Sequence, residues 1–249
     1  MSWQRFEIPD SHFQIKANII SETPCLEKVQ PLLDCLDNFN QNYIPSNLLC
    51  IDELVAPFKG AFKAKVYNKS KPCKWGIKIF GQADSQNGYC LKLIPYLGKE
   101  TYQGPYRNLD ELVMHLMIPY AHTQTHAFMD NYYSHPTLFL DLKEIGIDST
   151  GTFRAIRRDI PKLIKNAVVG SVKAKKKKNI RYFIHEKGLA ALKWHDKRDV
   201  CMLTPRGNLG FVEKVNRRNQ TLKKPEVIFD YTRNMGGIDR LNQKVKYIR

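Results

Sequence analysis

Three aspartates stand in settings where a carboxylate could do chemistry. Asp52 ends the apolar run Asn47-Leu48-Leu49-Cys50-Ile51, Asp130 follows Thr125-His126-Ala127-Phe128-Met129, and Asp239 follows Asn234-Met235-Gly236-Gly237-Ile238. Seventy-eight positions separate the first two and 109 the second pair, so only a fold can bring them together. Two carboxylates about 4 Å apart repel by roughly 4 kcal/mol at an effective dielectric near 20. A site that gathers three therefore calls for divalent cations, and all-oxygen ligands select Mg²⁺ or Mn²⁺ over soft metals. Two such ions can activate a water or sugar hydroxyl and stabilise the leaving oxygen of an in-line phosphoryl displacement.

The surrounding pattern is that of an α/β layer. Thr23 to Asn42 reads as a helix, with Leu26, Val29, Leu32, Leu33, Leu36 and Phe39 at intervals of three and four. Leu48 to Glu53 is a first strand. Ala61 to Tyr67 and Trp75 to Phe80 can pair across a polar turn, and Gly88 to Ile94 adds a third sheet element. Leu109 to Tyr120 reads as a helix, capped by Asn108 with Glu111 in capping-box register. Ala127 to Met129 is short and apolar, as suits a buried parallel strand. Pro136 to Ile145 is a second such helix, stopped by Gly146, and Thr150 to Ala155 a further strand. This is the element order of a ribonuclease H-like core, a mixed α/β sheet flanked by helices. Arg181 to Ile184, Ala190 to Trp194 and Val200 to Leu203 then read as short strands of a β-rich insertion. Asn216 to Lys224 reads as a basic loop, and Asp239 to Tyr247 as a closing helix.

Charge is distributed unevenly. The chain has 249 residues and a net charge of +16, yet residues 154–249 hold 26 Lys/Arg against 8 Asp/Glu and residues 1–153 hold 14 against 16. Such asymmetry points to a polyanionic partner, nucleic acid above all, against the plainer reading of a solvated basic surface. No apolar run is long enough for a membrane span, and Met1 to Asp10 lacks the apolar core of a signal peptide. The six cysteines form no C-x-x-C pair and read as reduced, packed thiols. Glu53, next to Asp52 in an alternating strand, faces the other way and reads as structural. His115, His122 and His126 are a weak ligand pattern, because Thr123 to Thr125 reads as a helix exit. Trp75 and Trp194 read as core residues rather than base-stacking ones.

The motifs around the aspartates add a resemblance. Ile51-Asp52-Glu53, Phe58-Lys59-Gly60, Lys71-Pro72-Cys73-Lys74-Trp75-Gly76-Ile77-Lys78, Gly88-Tyr89 and Tyr96-Leu97-Gly98-Lys99 run in one order. Asp130-Asn131-Tyr132-Tyr133-Ser134, Gly151-Thr152-Phe153-Arg154 and Met235-Gly236-Gly237-Ile238-Asp239 continue it. Together they resemble the catalytic core of piggyBac-type DDE transposases and of proteins derived from piggyBac elements.

The resemblance implies a ribonuclease H-like core at residues 47–162, a basic β-rich insertion at 163–224 and a return to the core at 225–249. Residues 1–46 would be a mostly helical remnant of an upstream DNA-binding or dimerisation region. It implies that Asp52, Asp130 and Asp239 are catalytic and hold two Mg²⁺ or Mn²⁺ ions, with Asn242 as a further candidate ligand. The family commonly has an aspartate at the position of Asn242, which here brings an amide oxygen and no charge. Arg154, Arg157, Arg158 and the run Lys175, Lys176, Lys177 and Lys178 are the candidate DNA contacts. The implied activity is cleavage of double-stranded DNA at transposon ends and strand transfer to TTAA target sites, in the nucleus. A homodimer stays open, as does a remnant that only binds DNA. The family's C-terminal cysteine-rich zinc domain has no counterpart in these residues, so no zinc is expected in this chain.

Overall fold

The computed structural model describes residues 26, 29–69, 74–155, 180–195, 198–205, 210–215, 219 and 221–247. The chain divides into two compact units, residues 1–44 and 45–249. In the first, α1 runs from Gln30 to Asn40. It starts later than the periodicity predicts because Pro31 is tolerated only in a first turn, where its missing N–H and fixed φ do no harm.

The second unit is built on a mixed sheet. Its strands are β1 (Leu48–Pro57), β2 (Val66–Tyr67), β3 (Trp75–Asp84), β4 (Cys90–Pro95), β5 (His126–Met129), β6 (Asp148–Thr152), β7 (Ile180–Ile184), β8 (Ala190–His195) and β9 (Asp199–Thr204). Among the described residues the order is β2-β3-β1-β5-β6-β9-β8-β7, with β4 also on β3. β1, β3 and β4 are antiparallel neighbours, whereas β5 lies parallel to β1 and β6 parallel to β5. All four residues of β5 are buried, as a short apolar strand covered on both faces must be. The strands expected in the insertion are present as β7 to β9, and they extend the same sheet through β6 and β9.

Helices cover both faces. α2 (Leu109–Met117) and α3 (Pro136–Glu144) lie in the first part of this unit, α4 (Glu226–Asn234) and α5 (Gly237–Tyr247) at its end. Asn108 caps α2 as predicted: its side chain accepts from Glu111 N at 3.0 Å, while the Glu111 carboxylate takes Arg107 N at 2.8 Å. Pro119 then tightens the expected continuation into a 3₁₀ turn, Ile118–Tyr120. On one sheet face Gln82, 2% exposed, donates to Leu116 O of α2 at 2.9 Å and so leaves its buried amide nitrogen satisfied. On the other face Cys50, Leu54 and Ala83 pack with Ile238 of α5, joined by Tyr231 and Met235. Side chains alternate across a strand, so Asp52 shares the face of Cys50 and Leu54, while Glu53 shares the other.

Several readings change. Of the strand expected at Ala61 to Tyr67 only Val66–Tyr67 forms, and β1 runs past Glu53 to Pro57. Residues 221–224, expected within a loop, belong to β11 (Thr221–Pro225), which pairs with β10 (Phe211–Val215) in a separate hairpin. A lysine-rich segment can make a strand when its partner is close, because backbone pairing is indifferent to side-chain charge. Trp194 is buried as expected, but Trp75 is half-exposed at the start of β3. Cys50 and Cys201 are buried and Cys35 is exposed, while Cys25 and Cys73 lie outside the described residues. Among the described residues no helix is long and apolar enough to cross a membrane.

Candidate active site

Asp52 and Asp130 are brought side by side by strand register. Ile51 lies opposite Met129 in the parallel β1–β5 pair, so Asp130, the first residue after β5, stands level with Asp52, which lies within β1 and pairs with Gly81 of β3. Asp52 Oδ1 accepts the backbone N–H of Glu53 at 2.8 Å. Asp130 Oδ1 accepts from Tyr132 N at 2.8 Å, and the Asp130 carbonyl accepts from Ser134 Oγ at 2.7 Å. These bonds fold Asp130-Asn131-Tyr132-Tyr133-Ser134 into a compact turn and hold the carboxylate at the strand end. Across β1, the residue opposite Asp52 is Gly81. A Cβ there would come within 2.9 Å of Ile238 Cδ1, so the glycine lets α5 lie close on this part of the sheet.

The electrostatics single out this pair. Burial pushes the Asp130 carboxyl above the usual carboxylate range, and the Glu53 charge adds to that, against hydrogen bonds from the turn backbone and the Lys78 charge. Tyr133, fully buried, is raised by burial and then by Glu53, Asp52 and Asp130. Burial, with Asp130 and Asp52 behind it, pushes the Tyr231 phenol up to about 12. The charges of Asp52 and Asp130 thus both add to the effect of burial on Tyr133 and Tyr231. Glu53 does face the other way, where it accepts from Tyr133 OH at 3.2 Å and lies 4.0 Å from Lys78 Nζ.

Asp239 arrives from the far end of the chain. Gly237 starts α5 against Cys50 and the Asp84 carbonyl, Ile238 enters the apolar cluster, and Asp239 follows in the first helical turn. Asn242 lies three residues further along the same helix. Arg240 anchors this start: its guanidinium donates to Ser85 O, to Gln86 O at 3.2 Å and to Arg233 O at 3.0 Å. Arg240→Ala is expected to remove about 1 kcal/mol of stability, since one part-buried and two exposed carbonyls lose a charged donor. Chemical denaturation reads this directly.

Among the described residues no group of three or more His, Cys, Asp or Glu side chains is placed to hold a metal ion. The pair Asp52 and Asp130 nonetheless fits a hard cation in one respect. It offers carboxylate oxygens where burial and Glu53 already disfavour the ionised form of Asp130, and a positive ion would relieve that. Arg154 sits at the rim, its Nε donating to Asn131 Oδ1 at 3.2 Å beside the Asp130 turn. Arg157, Arg158, Lys175, Lys176, Lys177 and Lys178 lie outside the described residues. His122, His126 and His115 do not form a ligand set: His126 is buried in β5 and shares a 2.8 Å hydrogen bond with Thr150 Oγ1. Tyr231 and Lys78 were not singled out by sequence reasoning. The signal for Tyr231 was its helical spacing with Val227, Ile228 and Met235.

A family profile described as Transposase IS4 matches residues 1–249. The chain is 26% identical over 262 residues to human piggyBac transposable element-derived protein 3, covering 100% of this chain and 44% of that protein. It is 23% identical over 266 residues to human piggyBac transposable element-derived protein 2, covering 97% of this chain and 42% of that protein. The chain therefore spans less than half the length of these curated relatives. Among solved structures, the cryo-EM structure of a piggyBac transposase synaptic complex with hairpin DNA is similar with a TM-score of 0.79 and 25% identity, over 99% of this chain and 51% of that one. With the match running the length of the chain, this protein belongs to the Transposase IS4 family, in its piggyBac-type branch.

Proposed function

We propose that this chain is the catalytic core of a piggyBac-type DNA transposase, which cuts DNA at transposon ends and joins the freed 3′-hydroxyl to TTAA target sites. The observation that carries the reading is the strand register that sets Asp130, directly after β5, level with Asp52 in the neighbouring parallel strand β1. The strand order β4-β3-β1-β5-β6, antiparallel and then parallel, supports a ribonuclease H-like core under that pair. Asp52, Asp130 and Asp239, with Asn242 beyond, would hold Mg²⁺ or Mn²⁺, which when bound supplies Lewis acidity at a scissile phosphate. The chain's own residues do the remaining work. Tyr133, Glu53 and the Asp130 turn fix the direction of the second carboxylate. Tyr231 keeps its proton at neutral pH and can donate it in a hydrogen bond at the pocket edge. Arg154, beside the Asp130 turn through Asn131, would meet a phosphate of the DNA strand, and Arg157, Arg158 and the run Lys175 to Lys178 would add salt-dependent backbone contacts. Such an activity belongs on nuclear DNA.

A second reading, a DNA-binding derivative without cleavage, is favoured by Asn242 in place of an acid and by the open arrangement of the three carboxylates. Purified protein incubated with supercoiled and TTAA-containing linear DNA separates the two. The first reading expects new 3′-hydroxyl ends with Mg²⁺ or Mn²⁺ and none with EDTA. Salt-sensitive DNA binding with no strand breaks under either ion would leave the second reading and remove the first.

A further inference from the structure

Between Glu53 and Asp84 the chain carries seven lysines and no acid. This basic stretch lies in the half of the sequence whose overall charge is slightly negative. Within it, Phe58, Tyr67 and Trp75 are exposed aromatic side chains, and the last two stand together. Tyr67 and Trp75 are cross-strand partners of β2 and β3, their ring centroids 4.8 Å apart and their planes at 54°. They are 52% and 51% exposed, values that place them outside the core. Lys65 Nζ lies 5.3 Å from the centre of the Trp75 ring, close enough for a cation–π contact. Lys59, Lys69 and Lys74 are exposed nearby.

Strand alternation decides which way this platform faces. Gly81 pairs with Asp52, and Ile79 and Ala83 share the cluster of Cys50 and Leu54. The odd-numbered positions of β3 therefore face the Asp52 side, and Trp75 is one of them. It precedes Gly81 by six residues, about 20 Å along a strand at roughly 3.3 Å per residue. That distance is on the order of six nucleotides at 3.4 Å per step of one DNA strand.

We propose that Tyr67, Trp75 and Lys65 form a stacking site for an unpaired base of the DNA strand whose phosphate occupies the acidic pocket. This rests on the DNA-processing reading above. Aromatic faces accept any unstacked base and the lysines meet its phosphates, so the site grips strand without reading sequence. A protein partner would find an apolar pair beside several exposed lysines, which suits it less well than a phosphate-bearing strand.

The test compares two fluorescent probes at one fixed salt concentration, a blunt 30-base-pair duplex and the same duplex with a single-stranded overhang of eight nucleotides. Trp75→Ala is expected to weaken overhang binding about tenfold, the typical range for loss of one stacked base, and to change duplex binding less than twofold. Trp75→Phe should restore most of the overhang affinity, and overhang DNA should quench a share of intrinsic fluorescence that disappears in Trp75→Phe. If Trp75→Ala unfolds, Tyr67→Ala carries the same comparison. Equal affinity of wild type and Trp75→Ala for the overhang probe overturns the proposal. So does equal weakening for both probes, or a dimer that Trp75→Ala converts to monomer without change in DNA binding. If neither probe binds the wild-type protein, the DNA-processing reading falls as well, whereas intact duplex binding and cleavage with no effect of Trp75 removes the stacking site alone.

Discussion

Asp52→Asn and Asp130→Asn are each expected to lower Mg²⁺-dependent DNA cleavage by about a thousandfold or more, equivalent to roughly 4 kcal/mol of transition-state stabilisation. The amide keeps the shape of each carboxylate and its local hydrogen bonds, since Asn can still accept the backbone N–H of Glu53 or Tyr132. What disappears is the charge that would hold a cation against a phosphate. Asp130→Asn carries a second, opposite consequence. In wild type, burial and Glu53 hold the Asp130 carboxyl above its usual range, so the folded chain binds this proton more tightly than the unfolded chain does. The ionised form therefore destabilises the fold increasingly as pH rises through the raised value. Below the ordinary carboxylate pKa of about 3.9 the group is protonated in both states and the effect vanishes. In EDTA at pH 7.5, Asp130→Asn should thus melt higher than wild type, by a gain on the order of 1 kcal/mol, as functional-site charges often give on removal. The difference should shrink as pH falls towards 4. A variant that is inactive and also less stable at pH 7.5 would show that Asp130 holds the turn rather than serving as a strained ligand.

Much of this site was legible before any fold was known, and the reasons are local. The run Leu48 to Ile51 is apolar on both faces, which only a central strand explains, and its end delivers Asp52. The short run before Asp130 is likewise buried on both faces. Asn108 and Glu111 announce α2 through capping chemistry that needs no tertiary partner. What was not legible depends on contacts far apart in sequence. Strand register places Asp130 beside Asp52, yet nothing in either segment states the register. Tyr231 reaches the pair only because α4 lies on the Cys50 face. Trp75 reads as core from its type alone, and its exposure follows from the edge position of the two-residue strand β2, which leaves this end of the sheet uncovered. Thr221 to Pro225 is a strand because Phe211 to Val215 is there to pair with it.

The delivery of Asp239 is where packing and chemistry meet, and Gly237→Ala tests it. Helix propensity taken alone predicts a gain of up to about 1 kcal/mol for Gly to Ala in a helix. Packing predicts the reverse. A Cβ at position 237 would collide with Cys50 Sγ and would lie 3.0 Å from Asp84 O and 3.3 Å from Ser85 Cα. Cys50, Asp84 and Ser85 are at most 1% exposed, and Arg240 fastens the Ser85–Gln86 turn to the same helix, so none of the three can yield cheaply. The clash should outweigh propensity, with a net loss of about 2–3 kcal/mol of the kind seen for overpacked cores. Relief by sliding α5 outwards would displace Asp239 with the helix, so on the proposed function cleavage should fall more than stability alone explains. Gly236→Ala is the control: its neighbour position meets nothing within 4 Å, and the change should stay within about 0.5 kcal/mol, the usual size for an uncrowded site. Cys50→Ala removes the sulfur that a new methyl would strike. The double variant Cys50→Ala with Gly237→Ala should therefore recover part of the loss, a coupling of about 1 kcal/mol or more in a double-mutant cycle. Strict additivity of the two changes would mean that the clash falls on Asp84 O and Ser85 Cα instead, and that the Cys50 contact does not set the position of α5.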